Sequence, residues 1–194
     1  PDGIKRQMLD WWGPIIHEYY GGSELNGLTH CGPQEWLEHP GSVGKPVLGT
    51  LHICAEDGTE LPAGEPGLIY FELPIIAFTY HGEDAKTKEA QHPEHPNWSA
   101  LGDIGYVDED GFLYLTDRAT FMIISGGVNI YPQEIEDALI MHDKVADVAV
   151  VGIPNEEMGE EVKAVVETPK GITGDDTLAA DILAYAREHI AHYK

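Results

Sequence analysis

The segment GYVDEDGFLYLTD, residues 105–117, constrains the fold of this chain more than any other. Apolar and polar residues alternate on both sides of Asp110-Gly111, a dipeptide typical of the tight turn between two antiparallel strands. A second pair of runs, TLHIC and LIYFE, flanks the turn-rich segment EDGTELPAGEPG in the same way. The sequence therefore predicts two β-hairpins, and we expect the first 117 residues to be mostly β.

Glycine and proline are frequent in the rest of this β-rich part. IIHEYY, residues 15–20, is a β-branched and aromatic run that ends at Gly21-Gly22, which predicts a strand leading into a tight loop. From there to about Pro46 the frequent glycines and prolines indicate a largely irregular chain. The Pro- and His-rich stretch from His81 to Pro96 is expected to be a surface loop or a short polar helix.

The pattern changes after Arg118 to strand, loop, helix and strand. FMIIS predicts a strand, GGVNI a loop, and Pro132 suits the first position of a helix, with Glu134 and Glu136 near the positive end of its dipole. VADVAVVG and VKAVVE predict two further strands, and LAADILAYAREHI predicts a last helix entered through GDDT. The apolar residues at helical spacing, expected to face a core, are Ile135, Ala138 and Leu139, then Leu178, Ile182, Tyr185, Ala186 and Ile190.

These patterns predict an α+β protein of two domains, residues 1–117 and 118–194, with the boundary near Asp117-Arg118. The last residues, AHYK, show neither a helix cap nor a turn. We therefore expect the second domain to be incomplete.

Eleven Lys and Arg against thirty-four Asp and Glu give a net charge of −23. Nucleic acids and anionic membrane surfaces are disfavoured as partners, because both bind proteins through clustered Lys and Arg side chains and this chain has no Lys- or Arg-rich run. No stretch approaches the about 18 to 20 apolar residues that span a bilayer. Since the first residues, PDGIKRQMLDWW, also lack the apolar core of a signal peptide, we expect a cytoplasmic location.

The cysteines and histidines indicate neither a disulfide framework nor a native metal site. Cys31 and Cys54 are too few for a disulfide framework and form no CxxC pair, so we expect two buried thiols. Two histidine groups, His81 with His92 and His95, and His189 with His192, have spacings that can suit a metal. Prolines interrupt the first group and the second shows no third ligand, which disfavours both as native metal sites.

Four segments stand out as candidate functional sites: YGGSE, GLIYFE with the following FTYHGEDAKT, LGDIGYVDEDGFLYLTDR, and IISGGVNIYPQEIE. Each is weak alone, because Gly-Asp before a hairpin is usually a turn and Gly-Gly after a strand is usually a bend. In this order and spacing they resemble the AMP-forming adenylating enzymes, over most of the chain. The segments EYYGGSE and IISGGVNIYPQEIE are most similar to the corresponding segments of fatty-acid and related acid–CoA ligases.

This resemblance implies a fold in which the first domain is the β-rich, distorted barrel-like end of a large adenylating domain, and the second is a small C-terminal domain. It also implies roles for single residues. Asp103 would accept hydrogen bonds from both ribose hydroxyls and Arg118 would contact the ribose, whereas without a ligand they would be a turn cap and a surface ion pair. Ser23 would approach the α-phosphate, Glu24 would help hold Mg²⁺, and Tyr20 would lie against the adenine unless it only packs in the core.

Glycines complete the implied site. Gly21 would lie in the nucleotide loop, and Gly126 and Gly127 would meet the pantetheine arm of coenzyme A, since missing β-carbons permit close approach. As an alternative, the Gly126-Gly127 pair is an ordinary bend between strand and helix. The implied hinge falls at Thr120, where the family usually has Asp or Lys.

The implied reaction has two halves: a carboxylic acid and ATP give an acyl-adenylate and pyrophosphate, and coenzyme A then gives the thioester and AMP. The family's phosphate loop ending in Pro-Lys-Gly and most of its acyl pocket are not found in these residues, and Lys194 comes too early to be the family's catalytic lysine. We therefore expect the isolated chain to be inactive. Three alternatives stay open: a non-catalytic, ligase-like binding module, an adenylation domain that loads a carrier protein, and a luciferase-like oxygenase.

Overall fold

The computed structural model describes residues 2–192, so Tyr193 and Lys194, the end of the predicted incomplete terminus, lie outside the described residues. Within this range the chain divides into two compact units, the first ending at Ala119 and the second beginning at Thr120. Across residues 2–192, none of the helices combines the length and apolar character needed to cross a bilayer.

The first unit is built on a seven-stranded antiparallel sheet with the order β1-β2-β3-β7-β6-β5-β4. Its strands are β1 Glu18–Tyr20, β2 Leu28–Cys31, β3 Ser42–Leu48, β4 Thr50–Cys54, β5 Gly67–Glu72, β6 Trp98–Val107 and β7 Leu113–Arg118. Its helices are α1 Asp2–Trp12, α2 Pro33–Glu38 and α3 Asp84–Glu89. Both predicted hairpins are confirmed, since β4 pairs with β5 and β6 pairs with β7.

The prediction of irregular chain up to about Pro46 is wrong, because β2, α2 and β3 all lie there. Glycine and proline are part of β3 itself. Gly44 has a φ of +91°, and any β-carbon on it would overlap the carbonyl of His30 on β2, so only glycine permits this close approach of two strands. Pro46 is opposite Thr29, next to a register shift in the β2–β3 pairing.

Helix α1, which the sequence patterns did not predict, packs against β2 and α2 of the first unit. Its buried residues, Lys5 and Leu9, are one helical turn apart. Leu9 packs with Cys31 and Trp36, while the ammonium group of Lys5 forms an ion pair with Glu18 and lies over the Trp36 ring. Cys31 and the other cysteine are free and buried, as predicted.

The second unit is an α+β fold with a four-stranded antiparallel sheet of order β10-β11-β8-β9. Its elements are β8 Ile123–Ser125, β9 Val128–Ile130, α4 Pro132–Leu139, β10 Asp147–Asn155, β11 Gly159–Glu167 and α5 Asp176–His189. Both predicted helices and both long strands are confirmed. The core consists of Ile123, Ile130, Ile135, Leu139, Val145, Val150, Leu178 and Ile182, and the expected Tyr185, Ala186 and Ile190 pack against it.

Candidate functional site

The hairpin β6–β7 places an acidic and a basic side chain beside each other. Asp103 on β6 is the direct partner of Arg118 on β7 in the antiparallel register. This adjacency depends on a register shift between Ile104 and Gly105 in the β6–β7 pairing. The register next to the turn pairs Gly105 with Leu115, and without the shift it would place Asp103 opposite Asp117. The pairing continues to the end of the unit, where the Ala119 N–H donates to the Gly102 carbonyl at 2.8 Å.

Asp103 is the centre of a three-residue cluster. Its Oδ2 accepts a hydrogen bond from the Tyr20 hydroxyl at 2.8 Å, and its Oδ1 accepts one from Arg118 Nε at 3.2 Å. The Asp103 side chain is 17% exposed and the Arg118 side chain is 64% exposed. The carboxylate is therefore fixed by two donors, while most of the guanidinium faces solvent.

Burial and charge keep Tyr20 protonated. Burial raises the pKa of the Tyr20 hydroxyl most, and the charge of Asp103 and the hydrogen bond to it raise it further, against the opposing effect of Arg118. The Tyr20 ring is half-buried and stacks on Phe71 with centroids 6.2 Å apart. Tyr20 thus packs in the core and also donates a hydrogen bond into the cluster.

The loop after β1 carries Ser23 and Glu24. The Ser23 hydroxyl donates to Glu24 Oε2 at 3.1 Å, and the hydroxyl of Tyr80 donates to Glu24 Oε1 at 3.0 Å. The pKa of Glu24 is lowered, chiefly by the hydrogen bond from its own backbone N–H; partial burial opposes this, and the Tyr80 and Ser23 hydroxyls add to the lowering. Glu24 is therefore an ionised carboxylate with one hydroxyl donor on each oxygen.

One side chain fixes this loop to the sheet, and a glycine permits a close contact within the loop. Asn26, 2% exposed, donates from Nδ2 to the carbonyl of Ser99 on β6 at 3.0 Å. Gly21 is exposed, but a β-carbon on it would lie 2.8 Å from the Gly27 carbonyl oxygen. Leu25 adopts a φ of +54°, a strained conformation for a leucine, with 73% of its surface exposed. The loop is therefore held in a defined shape.

Gly126 and Gly127 belong to the second unit and form the turn of the β8–β9 hairpin. Ser125 and Val128 pair on either side of them, and their φ values are +57° and +78°. Two consecutive positive φ angles are typical of a type I′ hairpin turn. The predicted loop GGVNI is therefore wrong in part, because VNI is strand β9, and the alternative of a bend between strand and helix is also wrong.

The structure thus brings three of the implied site residues into contact in the first unit, Tyr20, Asp103 and Arg118, and places Ser23 and Glu24 in the loop that follows Tyr20. Gly21 lies in the same loop. Thr120, the implied hinge, is exposed and is the first residue of the second unit.

Tyr80 was not predicted as a functional residue. Its segment, FTYHGEDAKT, stands out in the sequence, but nothing in the order of residues links Tyr80 to Glu24, 56 positions away. Only the fold of the sheet brings the two side chains together.

The described range 2–192 contains no cluster of three or more His, Cys, Asp or Glu side chains suited to a metal. Of the histidines considered for metal binding, His92 is fully engaged, with Nδ1 accepting from the Glu94 and His95 N–H groups and Nε2 bonded to the Gly58 carbonyl. Ser23 and Glu24 offer hard oxygen donors. This set fits Mg²⁺, which is usually held by one or two carboxylates together with the phosphates of a substrate.

Known proteins are similar to this chain in sequence and fold. Residues 134–194 match the family described as AMP-binding enzyme C-terminal domain. A long-chain-fatty-acid–CoA ligase of Bacillus subtilis is 36% identical over 196 residues, covering 100% of this chain and 34% of the ligase. The chain therefore spans about a third of the length of the relative it matches.

Solved structures of acid–CoA synthetases are similar to this chain in fold. The o-succinylbenzoate CoA synthetase of Bacillus subtilis, in complex with its acyl-adenylate intermediate, superimposes with a TM-score of 0.87 at 30% identity, covering 100% of this chain and 38% of the synthetase. The same synthetase in complex with ATP and a magnesium ion gives a TM-score of 0.83 at 29% identity, covering 97% of this chain and 38% of the synthetase.

The fold and these matches place the chain among the AMP-forming adenylating enzymes. Within that superfamily it belongs to the acyl-CoA synthetase branch, the family of acid–CoA ligases.

Proposed function

We propose that this chain supplies the nucleotide-binding half of the active site of an ATP-dependent, AMP-forming acid–CoA ligase. In the whole reaction a substrate carboxylate attacks the α-phosphorus of ATP, and the bond to pyrophosphate breaks. The thiol of coenzyme A then attacks the carbonyl carbon of the acyl-adenylate, and AMP leaves. The observation that carries the proposal is the cluster of Tyr20, Asp103 and Arg118 in the first unit.

Asp103 is the residue proposed to bind the ribose. An ionised carboxylate has about four lone-pair sites, and Tyr20 and Arg118 occupy two of them, one on each oxygen. One site on each oxygen is left for the two vicinal hydroxyls of a ribose. The exposed guanidinium of Arg118 contacts the same sugar, and the Tyr20 ring offers an edge or face to the adenine.

Ser23 and Glu24 are proposed to act on the phosphates. Ser23 approaches the α-phosphate, where negative charge develops during both halves of the reaction. Glu24 would hold Mg²⁺, which neutralises phosphate charge and orients the triphosphate when it is bound. Neither residue acts as a covalent nucleophile, so catalysis depends on positioning and charge stabilisation.

The second unit extends this proposal. Residues 1–117 would be the C-terminal part of the large adenylating domain, residues 118–194 the small mobile domain, and Thr120 the hinge between them. Gly126 and Gly127 would serve the thioester half, because a turn without side chains permits close approach of the pantetheine arm. The cytoplasm remains the expected location.

Charge-assisted hydrogen bonds of about 1.5–3 kcal/mol each, set against an association cost of about 4–15 kcal/mol, give weak nucleotide binding by this chain alone. The net charge of −23 lowers the affinity for ATP and coenzyme A further. We therefore expect weak AMP binding and no acid-dependent release of pyrophosphate. Robust pyrophosphate release by the purified chain would contradict the half-site proposal.

Equilibrium dialysis with labelled AMP tests the role of Asp103. We expect Asp103→Ala to weaken retention of AMP by about tenfold or more, as expected for loss of a charged hydrogen-bond partner. Asp110→Ala is the matched control, because this carboxylate lies in the exposed turn of the same hairpin. Equal retention by the Asp103→Ala variant and the native chain would remove Asp103 from the site.

A further inference from the structure

Tyr80 lies in the segment between β5 and α3 and contacts the proposed metal-binding carboxylate. Its hydroxyl donates to Glu24 Oε1 at 3.0 Å, and its ring is half-buried, edge-on to Phe78 with centroids 5.1 Å apart. Burial and the bond to Glu24 both raise the pKa of Tyr80, so the hydroxyl stays a donor.

The backbone of Tyr80 is fixed by helix α3. The Tyr80 N–H donates to Thr87 Oγ1 at 2.8 Å, and that hydroxyl donates to the Glu83 carbonyl at 3.1 Å. The Glu83 N–H in turn donates to the Tyr80 carbonyl at 3.1 Å. Since α3 has no buried residues, these hydrogen bonds rather than core packing by the helix hold the Tyr80 backbone to α3.

The contact restricts the carboxylate itself. A glutamate side chain has several rotatable bonds, and an exposed one samples many positions. In this chain the Ser23 hydroxyl holds Glu24 Oε2 and the Tyr80 hydroxyl holds Oε1, so both oxygens are fixed. A carboxylate has about four lone-pair sites, so these hydroxyls and the Glu24 backbone N–H leave room on it for a cation. Hydrogen-bond partners of this kind orient metal ligands in many proteins.

We propose that Tyr80 is a positioning residue, which aims the Glu24 carboxylate at a divalent cation bound with the nucleotide, and that Thr87 holds Tyr80 in place. This inference rests on the proposed function, because it assumes that Glu24 binds the metal. Tyr80 contacts neither metal nor nucleotide in this role. It acts only through Glu24.

Paramagnetic NMR on the 194-residue chain gives a direct test without catalytic turnover. Mn²⁺ replaces Mg²⁺ as a hard cation and broadens the signals of nearby nuclei, so the backbone amides of Ser23 and Glu24 report local binding in the presence of ATP. This local readout is needed because a chain with thirty-four Asp and Glu binds cations elsewhere as well. In Tyr80→Phe we expect about tenfold more Mn²⁺ to be needed for the same broadening.

Three further variants separate positioning from folding. Tyr19→Phe removes a hydroxyl from a ring that is 74% exposed and should leave the Mn²⁺ titration unchanged. Thr87→Val removes the acceptor of the Tyr80 N–H and should weaken binding in the same direction as Tyr80→Phe. Thr87→Ser keeps the hydroxyl and should restore the native titration.

The outcomes distinguish the two levels of the proposal. If the native chain shows no Mn²⁺ effect at Ser23 and Glu24 with ATP present, the metal role of Glu24 fails and the role of Tyr80 fails with it. If the native chain shows the effect and Tyr80→Phe titrates identically or more tightly, only the positioning role is overturned. Should Tyr80→Phe lose its folded spectrum, the contrast between Thr87→Val and Thr87→Ser decides: a difference supports positioning and equal titrations overturn it.

Discussion

Replacing Tyr20 with phenylalanine removes one hydrogen bond from the centre of the candidate site and leaves the packing of the ring. The ring stacks on Phe71, and phenylalanine keeps that contact. The lost bond is the 2.8 Å donation to Asp103 Oδ2. We therefore expect Tyr20→Phe to lower the free energy of unfolding of the first unit with little change in its core.

The size of the expected loss in unfolding free energy follows from the solvent exposure of Asp103, the hydrogen-bond partner of Tyr20. A hydrogen bond to a charged group contributes about 1.5–3 kcal/mol. Asp103 is 17% exposed and keeps Arg118, so water replaces part of the lost interaction and the lower end applies. We expect a loss of about 1.5 kcal/mol.

Urea unfolding followed by tryptophan fluorescence measures the change in the free energy of unfolding of the first unit. All four tryptophans, Trp11, Trp12, Trp36 and Trp98, precede residue 120, so their emission reports on the first unit alone. Tyr19→Phe on the same strand is the control and should change the stability by less than about 0.5 kcal/mol, because its ring is 74% exposed.

A double-mutant cycle identifies the partner. In an Asp103→Ala background the further change Tyr20→Phe should cost almost nothing, since the acceptor is already gone. A cost of the same size in both backgrounds would show that Tyr20 stabilises the unit through something other than Asp103. A cost near zero in the native background would refute the reasoning altogether.

Three other predictions concern the scaffold. Gly27→Ala should destabilise the first unit by about 2–3 kcal/mol in the same urea assay, because the new β-carbon would overlap the buried ring of Phe71. Asp175→Ala should cost about 1 kcal/mol, seen as faster hydrogen exchange in α5, because Asp175 Oδ1 accepts the Leu178 N–H at 2.8 Å as the helix cap. Partial burial raises the pKa of Asp108, but hydrogen bonds from Phe112 N–H and His39 outweigh this and lower it below 3.8. The stability that Asp108 contributes should therefore be complete above pH 3.8 and be lost as the pH falls further, and Asp108→Asn should flatten that part of the pH dependence.

Sequence patterns predicted those elements whose signals are local. The turn dipeptide Asp110-Gly111 predicted that β6 and β7 pair, although it did not predict the register shift between Ile104 and Gly105 that sets Asp103 opposite Arg118. Pro132 and the apolar residues at helical spacing likewise predicted α4. In each case the residues that specify the element lie within it.

The missed features depend on contacts between distant parts of the chain. The sequence pattern predicts a loop at Gly44, yet this residue permits the close approach of β3 to His30 on β2. The hydrogen bond from Tyr80 to Glu24 joins residues 56 positions apart through the folded sheet. No local pattern carries such information, because the partners meet only after the strands have paired.

The central claim, that the Tyr20–Asp103–Arg118 cluster binds the ribose of an adenine nucleotide, is tested most directly by mapping where AMP binds. In an NMR titration of the isotope-labelled chain, AMP should shift the amide signals of these three residues and of Ser23, whereas 2′,3′-dideoxy-AMP, which lacks both ribose hydroxyls, should shift them far less at equal concentration. Equal shifts with both nucleotides, or AMP-induced shifts confined to other parts of the chain, would contradict the account.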